Sequence, residues 1–459
     1  MLFLFLYCFI CLFACLSMID IRGDDGDERD EDIVPQGTPT HDKKGEEEEE
    51  EEEEIETEDE DEEKKEDGTV APVCASTHLS EDHGDLQVVF VHGLKGSKLV
   101  DRTTRKVIWV KAVRALRHAP ELCCGPDVCG VTFPDEKYHE IDAVGPLTKV
   151  LGGVMKIYGP FVKACKKKWG DNFQSFSYDW RRDIVDVSQD LGRFLSQLCT
   201  KKDPSRLLLV VHSMGGLVTW AMLSLLAKKI ASSGKESLEP WEKSLFDLLR
   251  RTRVLFCSTP FNPISAIIED FTWGTRMHSS ILPAKKVFTF PTAYQLLLGP
   301  RSDPHFAPFY NPDAWLQLRL GPFADKSIGP EMAKECVRAL PRMFDYANNL
   351  RTKVLLPDFT GTPFEGLLTA VVAGKALKTP ARIPDDFFNF NEERGGNWAE
   401  DRWAGIKCEE GDGRVPYSFA TSVPKGLNVT KVHLTNSEHT HTLNDHPVIS
   451  RAIDELLAL

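Results

Sequence analysis

The chain contains no cluster of basic residues interleaved with aromatics, so it offers no footprint for a nucleic-acid partner. It has no cysteine–histidine set at zinc-ligand spacing either: Cys123, Cys124 and Cys129 stand close together, but a fourth ligand is missing nearby. No Lys or Arg precedes its apolar amino-terminal stretch, so the positively charged head of a standard signal peptide is absent. Around Ser213 the pattern G-x-S-x-G lacks its first glycine, and Val211 stands in that place.

Turning to what is present, 459 residues suit one large α/β domain with insertions, or two ordinary domains. Residues 1–18 are almost wholly apolar, too long for a typical signal core and short for a membrane span. They are expected to be an export signal, with an uncleaved signal anchor as the close rival. A place in the secretory pathway follows, whether secreted, lumenal or lysosomal. Residues 19–73 form a linker whose acidic part, Gly23 to Asp67, holds 26 Asp+Glu against 5 Lys+Arg, a net charge of −21. Nine consecutive glutamates, Glu46 to Glu54, repel one another and bury nothing, which predicts a solvated spacer rather than a folded element.

The whole chain carries −15, so the remainder, residues 74–459 in the main, is mildly basic at +6. That balance suits an anionic lipid surface. Of 12 cysteines, Cys8, Cys11 and Cys15 lie in the leader. Among the nine others an exported chain should pair some, and Cys123-Cys124-Gly-Pro-Asp-Val-Cys129 reads best as a disulfide-pinned loop. A glycosylation sequon, Asn428-Val429-Thr430, fits the same route.

The stretch Leu207 to Leu217 is the most informative. Leu207-Leu208-Leu209-Val210-Val211 suits a strand buried on both faces. His212-Ser213-Met214-Gly215-Gly216 follows, and then apolar residues at roughly helical spacing. Strand, sharp turn and helix form the setting of a nucleophile elbow, with Ser213 as nucleophile and the Met214 amide as an oxyanion donor. Gly215 is expected to let the helix approach the sheet closely. Upstream, Leu86 to Val91 reads as a strand that runs into His92-Gly93-Leu94-Lys95-Gly96-Ser97. A strand ending in H-G-x-x-G supplies a second oxyanion donor, the Leu94 amide.

Residues from about 97 to 145 lack clean periodicity and read as an insertion over the sheet. Leu147 to Trp169 is helical in character. Phe173 to Tyr178 alternates as a strand and enters Tyr178-Asp179-Trp180-Arg181. Asp179 and Arg181 are a natural pair to brace that loop, and Trp180 has a broad apolar face. Arg253 to Cys257 is the next strand, followed by Ser258-Thr259-Pro260-Phe261. Residues 263–300 are apolar without a period, as in a lid, an acyl-chain groove or a fixed cap. Lys353 to Leu356 is a candidate strand, and 357 to about 403 yields no assignment. Gly411-Asp412-Gly413-Arg414-Val415-Pro416 puts a carboxylate between two glycines late in the chain. Val429 to Leu434 reads as the last strand; it delivers His439, His441 and His446 ahead of a closing helix near Pro447.

H-G-L-x-G-S, then Y-D-W-R, H-S-M-G-G and G-D-G-x-V-P, together resemble the lecithin:cholesterol acyltransferase family. That family includes phospholipid:diacylglycerol acyltransferases and lysosomal phospholipase A. The resemblance covers about Leu86 to Leu457. It implies an α/β-hydrolase fold, a mostly parallel sheet flanked by helices with cap insertions at about 97–145 and 263–300. It also implies a triad of Ser213, Asp412 and His439, since the family's histidine comes first after the last strand; His441 and then His446 are the fallbacks. Tyr178, Asp179, Trp180 and Arg181 are implied as substrate-binding. The family usually has Thr where Arg414 stands, and a basic group there both holds Asp412 ionised and competes for it.

The triad residues suit a serine acyl-enzyme, and the resemblance implies a lipid O-acyltransferase acting on glycerophospholipid esters, with water or a lipid alcohol as acceptor. No metal or organic cofactor is required, because a triad and two amides suffice for acyl transfer. The H-x-H at 439–441 has no carboxylate–histidine set to make it a metal site. The expected partners are a phospholipid or neutral lipid and a membrane or lipoprotein surface. Two other readings stay open: a phospholipase, esterase or thioesterase of the same fold, and a lipid-binding relative without activity.

Overall fold

In a computed structural model, the residues described are 86–109, 141–150, 155–202, 204–277, 280–325, 328–384, 387 and 405–459. The apolar leader, the acidic linker and the Cys123–Cys129 loop lie outside them. Among the described residues six parallel strands make the central sheet. They are β1 (Leu86–Val91), β2 (Phe173–Phe176), β3 (Arg206–His212), β4 (Thr252–Cys257), β5 (Leu368–Gly374) and β6 (Asn428–Thr435). Their spatial order is β6-β5-β4-β3-β1-β2. β1 leads outward to β2 at the edge, and the chain then crosses back to β3 and runs on to β6. The order reverses between β1 and β3, the switch point where open α/β sheets place their sites. This topology, with a strand–turn–helix at the end of β3, is the α/β-hydrolase fold.

The sequence of the central strands explains their position. In β1, Val89 and Val91 enter one core while Val88 and Phe90 enter the other. In β3, Leu207, Leu209 and Val211 face the first core and Leu208 and Val210 the second. Both faces are covered, so the strand must be apolar throughout rather than alternating. The second core is closed by α1 (Gly159–Trp169) and by the carboxyl-terminal helix, which places Ile449, Ala452, Ile453 and Leu456 there. The first is closed by α2 (Ile184–Lys202), by α3 (Met214–Ser233) and by the segment after β4. The α3 helix is apolar all round because it is buried nearly all round, and its composition alone would let it cross a membrane.

Three sequence expectations change. Leu147 to Trp169 is not one helix: Lys149–Val150 and Met155–Lys156 pair as a short antiparallel ribbon, and α1 starts only at Gly159. Pro160 fits the first turn of a helix but would clash with a preceding one. Lys353 to Leu356 is not a strand. It continues a long helix, Pro330–Asn349, through a wider turn over Leu350–Val354 that buries Leu350 and Val354. The missing strand is β5, inside the stretch that gave no assignment. Cys165, Cys257 and Cys408 carry free thiols, so these three do not take part in the expected pairing.

The insertion expected at about 97–145 begins and ends as a three-stranded antiparallel sheet, with Ser97–Asp101 between Val107–Trp109 and Ile141–Pro146. The apolar segment after β4 packs into the first core. Phe271, Phe288, Phe290, Tyr294 and Leu296 are buried among one another and against Trp315. Its first helix is α4 (Ile267–Trp273).

Close approach at the elbow depends on glycine. A Cβ on Gly215 would lie 2.4 Å from the Val91 carbonyl oxygen, at the end of the neighbouring strand β1. Gly215→Ala is therefore expected to cost about 1–3 kcal/mol by overpacking against backbone. Gly329→Ala, where an added Cβ meets nothing within 4 Å, serves as the control. Urea denaturation of the two variants checks this: equal midpoints for both would contradict the packing described.

Candidate active site

Ser213 follows β3 directly, with φ 53° and ψ −125°, a left-handed conformation that non-glycine residues seldom adopt. The turn is fixed by two backbone bonds: the Ser213 amide donates to Cys257 O (2.9 Å) and the Gly216 amide to Ser213 O (3.0 Å). Val211, at the position of the absent glycine, sits in regular register opposite Val91 and Phe256. The sharp change of direction begins only at Ser213, so a Cβ two residues earlier meets no obstacle there.

His439 begins a short turn after β6, and its Nε2 lies 2.8 Å from Ser213 Oγ. Its Nδ1 lies 2.8 Å from Asp412 Oδ2. An ionised carboxylate only accepts, so Nδ1 carries the proton and Nε2 is left bare to accept from the serine hydroxyl. Asp412 is buried, and burial alone would raise its pKa. The His439 ring beside it and the amides of Val415 (2.7 Å) and Arg414 (3.0 Å) on Oδ1 outweigh that and hold it down to about 2. The main chain adds a second link, His439 N–H to Asp412 O at 2.9 Å. The structure thus brings together Ser213, Asp412 and His439, from three elements of the fold.

The other histidines stand apart. His441 Nδ1 is 2.7 Å from Glu438 Oε1 on the surface, and His446 starts the carboxyl-terminal helix. Among the described residues no group of His, Cys, Asp and Glu suits a metal ion.

The loop after β1 closes as a turn through Gly96 N–H to Gly93 O at 3.1 Å. A Cβ on Gly93 would stand 2.8 Å from Ser213 Cβ, so this loop abuts the elbow. Met214 is the first residue of α3, and its amide has no partner within the helix. Neither that amide nor that of Leu94 meets a protein acceptor among the described residues. Amides without a protein acceptor in the two segments that adjoin Ser213 suit the donors a developing oxyanion needs.

Arg414 does not compete for the Asp412 carboxylate. Its guanidinium reaches Asp270 (3.0 Å) and Glu269 (3.6 Å) on α4. Lys95, with φ 63° in the Gly93–Gly96 turn, meets the same Asp270 at 3.3 Å and Thr275 Oγ1 at 2.6 Å. Burial is the main influence on the Lys95 amine and lowers its pKa to about 8 despite Asp270. Asp270 would be raised by burial, but Arg414 and Lys95 keep it below the ordinary range. One carboxylate of α4 therefore ties down both the Gly93–Gly96 turn, through Lys95, and the loop after Asp412, through Arg414, a role with no signal in the sequence.

The four residues expected at the substrate are buried. Asp179 and Arg181 form the brace, with Arg181 Nε and Nη2 donating to Asp179 Oδ1 (2.8 Å) and Oδ2 (2.7 Å). Tyr178 stacks on His92 at 4.1 Å and donates to His92 O at 2.6 Å. Trp180 is 0% exposed, with Trp109 and Phe290 edge-on against it. Its face is covered by protein, so in this state it packs the cap and offers no surface to an acyl chain. His212 and Tyr158, which the sequence reading passed over, sit beside the site with Tyr158 Oη 2.8 Å from His212 Nδ1. A histidine closing an otherwise apolar strand was the available signal.

No family model matches the sequence. An uncharacterized protein of Saccharomyces cerevisiae is 26% identical over 340 residues, covering 68% of this chain. The chain spans 45% of that relative's length, less than half. Among solved structures, the Tle4-Tli4 complex matches 82% of this chain and 99% of its own at 13% identity and a TM-score of 0.45. A Bacillus licheniformis lipase in mature form matches 81% and 91% at 11% identity and a TM-score of 0.30. A mutant epoxide hydrolase of Bacillus megaterium matches 82% and 94% at 12% identity and a TM-score of 0.25. The fold is assigned on strand order and connections, not on these likenesses.

The low value at Asp412 has a consequence for stability. A carboxylate with a folded pKa below its unfolded one stabilises the fold above the ordinary carboxylate range, and that contribution fades as pH falls through the folded value. Between about pH 4 and about pH 2 the wild-type urea midpoint should therefore fall more steeply than that of Asp412→Asn. Parallel curves for the two chains would contradict the placement of this carboxylate.

Proposed function

We propose that this protein is a serine acyl-transfer enzyme of the α/β-hydrolase fold that acts on glycerolipid esters. The observation that carries the reading is the continuous bonding from Ser213 Oγ through the His439 ring to Asp412, each step 2.8 Å. His439 takes the serine proton as Ser213 attacks the ester carbonyl, then returns it to the leaving alcohol. Asp412 keeps the imidazole in the required tautomer and stabilises the imidazolium. The Leu94 and Met214 amides receive the oxyanion, and losing one such donor typically costs about 3 kcal/mol of transition-state stabilisation. The acyl-enzyme then passes its acyl group to water or to a lipid alcohol.

The lipid class rests on the likeness of the Y-D-W-R, H-S-M-G-G and G-D-G-x-V-P motifs to the lecithin:cholesterol acyltransferase family. It is supported by Trp273, 46% exposed at the end of α4, the helix whose Asp270 also holds the acid loop. A large exposed aromatic on this helix suits an interface with lipid. Transfer to a lipid alcohol is favoured over hydrolysis by the same motifs, and a membrane or lipoprotein surface is the expected setting.

A fluorophosphonate probe should label the wild-type chain and leave Ser213→Ala unlabelled; labelling that survives the substitution would overturn Ser213 as nucleophile. Asp412→Asn, which disturbs the histidine tautomer, should lower kcat on a soluble ester by about 10⁴-fold. Labelled phospholipid incubated with and without diacylglycerol or sterol then separates transfer from hydrolysis: new labelled ester or triacylglycerol means transfer, and free fatty acid alone means hydrolysis. Trp273→Ala should slow turnover of phospholipid in vesicles while sparing a soluble short-chain ester, and equal loss on both would remove its interfacial role.

A further inference from the structure

A second line of hydrogen bonds runs behind the triad, and its donors and acceptors can be assigned by elimination. His212 Nε2 lies 3.0 Å from the carbonyl oxygen of His439. A carbonyl only accepts, so that nitrogen carries a proton. Burial is the main cause that keeps the His212 imidazole neutral, with its pKa lowered to about 3. A neutral ring protonated at Nε2 has a bare Nδ1, which accepts from the Tyr158 hydroxyl at 2.8 Å. The Tyr158 oxygen in turn accepts the Gly93 amide proton at 3.2 Å. The order is therefore Gly93 N–H to Tyr158 O–H to His212 to the main chain of His439.

The two ends of this line matter. Gly93 precedes Leu94, whose amide is read as an oxyanion donor. His439 is read as the base, and on its other side its own amide is tied to Asp412 O. The middle is rigid. Tyr158 is 3% exposed, its amide donates to Leu147 O at 3.2 Å, and its carbonyl accepts from Val162 N–H, the first bond into α1. Its ring stands edge-on to Phe90 at 5.0 Å and to His212 at 5.6 Å. His212 is held by β3 one residue before the nucleophile.

We propose that Tyr158 and His212 are a positioning pair that sets the oxyanion loop and the base loop to one common geometry around Ser213. Neither side chain hydrogen-bonds the reacting atoms. They act through the backbone bonds at the two ends and through the His212 ring, which packs on the His439 ring with centroids 5.0 Å apart, fixing where the Leu94 amide and the His439 ring stand relative to the serine hydroxyl. This rests on reading Ser213, Asp412 and His439 as a triad.

The test uses the full chain and a soluble p-nitrophenyl ester. Tyr158→Phe removes one oxygen and keeps the ring. It should lower kcat by about 10- to 100-fold, as two buried groups lose their partner, with KM changed by less than about twofold. His212→Ala should lower kcat at least as far. His212→Asn, which offers an amide NH2 and a carbonyl oxygen in the same region, should recover part of that loss. Because the two residues are coupled, Tyr158→Phe added to His212→Ala should cost less than Tyr158→Phe costs in the wild-type chain, since only the Gly93 amide is then left to lose its acceptor. Wild-type kcat in Tyr158→Phe, or additive effects in the double variant, would overturn the pair. Should Tyr158→Phe fold poorly, the contrast between His212→Asn and His212→Ala decides it, with equal kcat counting against the proposal. Failure of the triad reading looks different: Ser213→Ala would then keep turnover, whatever the Tyr158 variants do.

Discussion

The backbone at Ser213 is the constraint on which the arrangement depends. A non-glycine residue in the left-handed region costs on the order of 1–3 kcal/mol, and it persists only where its surroundings leave no alternative. Here the surroundings are specific. Ser213 N–H is bonded to the end of β4, Gly215 lies against the carbonyls ending β1, and Gly93 lies against Ser213 itself. On the far side a Cβ at Gly216 would overlap Thr259 Oγ1 at 2.0 Å, so the turn after β4 also rests on α3. Three strands therefore converge on one residue, and the hydroxyl is held where the next two side chains meet it.

The carboxylate reaches this point by a long route. Between β5 and Asp412 the chain makes an excursion that includes the antiparallel pair Leu377–Arg382 and Lys407–Gly411. The excursion ends where it began: a Cβ on Gly374, the last residue of β5, would stand 2.5 Å from Asp412 Cβ. Asp412 is thus delivered beside the end of β5 although 37 residues separate it from Gly374. Arg414, which might have drawn this carboxylate away, is occupied by the cap through Asp270 and Glu269. Asp270 also takes Lys95, so α4, the Gly93–Gly96 turn and the loop after Asp412 share one charge cluster. A buried carboxylate between two cations is worth far more intact than with one member removed, and this favours a cap that stays seated.

Much of this was legible in the sequence, for identifiable reasons. Val88 to Val91 of β1 and Leu207 to Val211 of β3 are buried on both faces and so form unbroken apolar runs. Ser213, Asp412 and His439 each follow a strand or a glycine turn, and their chain order matches the spatial order of strands. What escaped were pairings between distant segments. Arg414 and Asp270 are 144 residues apart, and nothing local announces the bond. β5 carries small residues, Thr369, Ala370 and Ala373, inside an irregular stretch, while Lys353 to Leu356 has strand-like composition but belongs to the end of a long helix. Trp180 had the chemistry of a binding surface, but tertiary packing enclosed it. Composition reports what a side chain can do, and only the fold decides what it faces.

The central claim is covalent: an acyl group rests on Ser213 during turnover. The most direct measurement is acid quenching of the enzyme during phospholipid turnover, followed by peptide mass spectrometry. The account predicts a fatty-acyl ester on the peptide containing Ser213, present in the wild-type chain and absent in Ser213→Ala. Turnover with no adduct on that peptide, or an adduct on a different nucleophile, would contradict it.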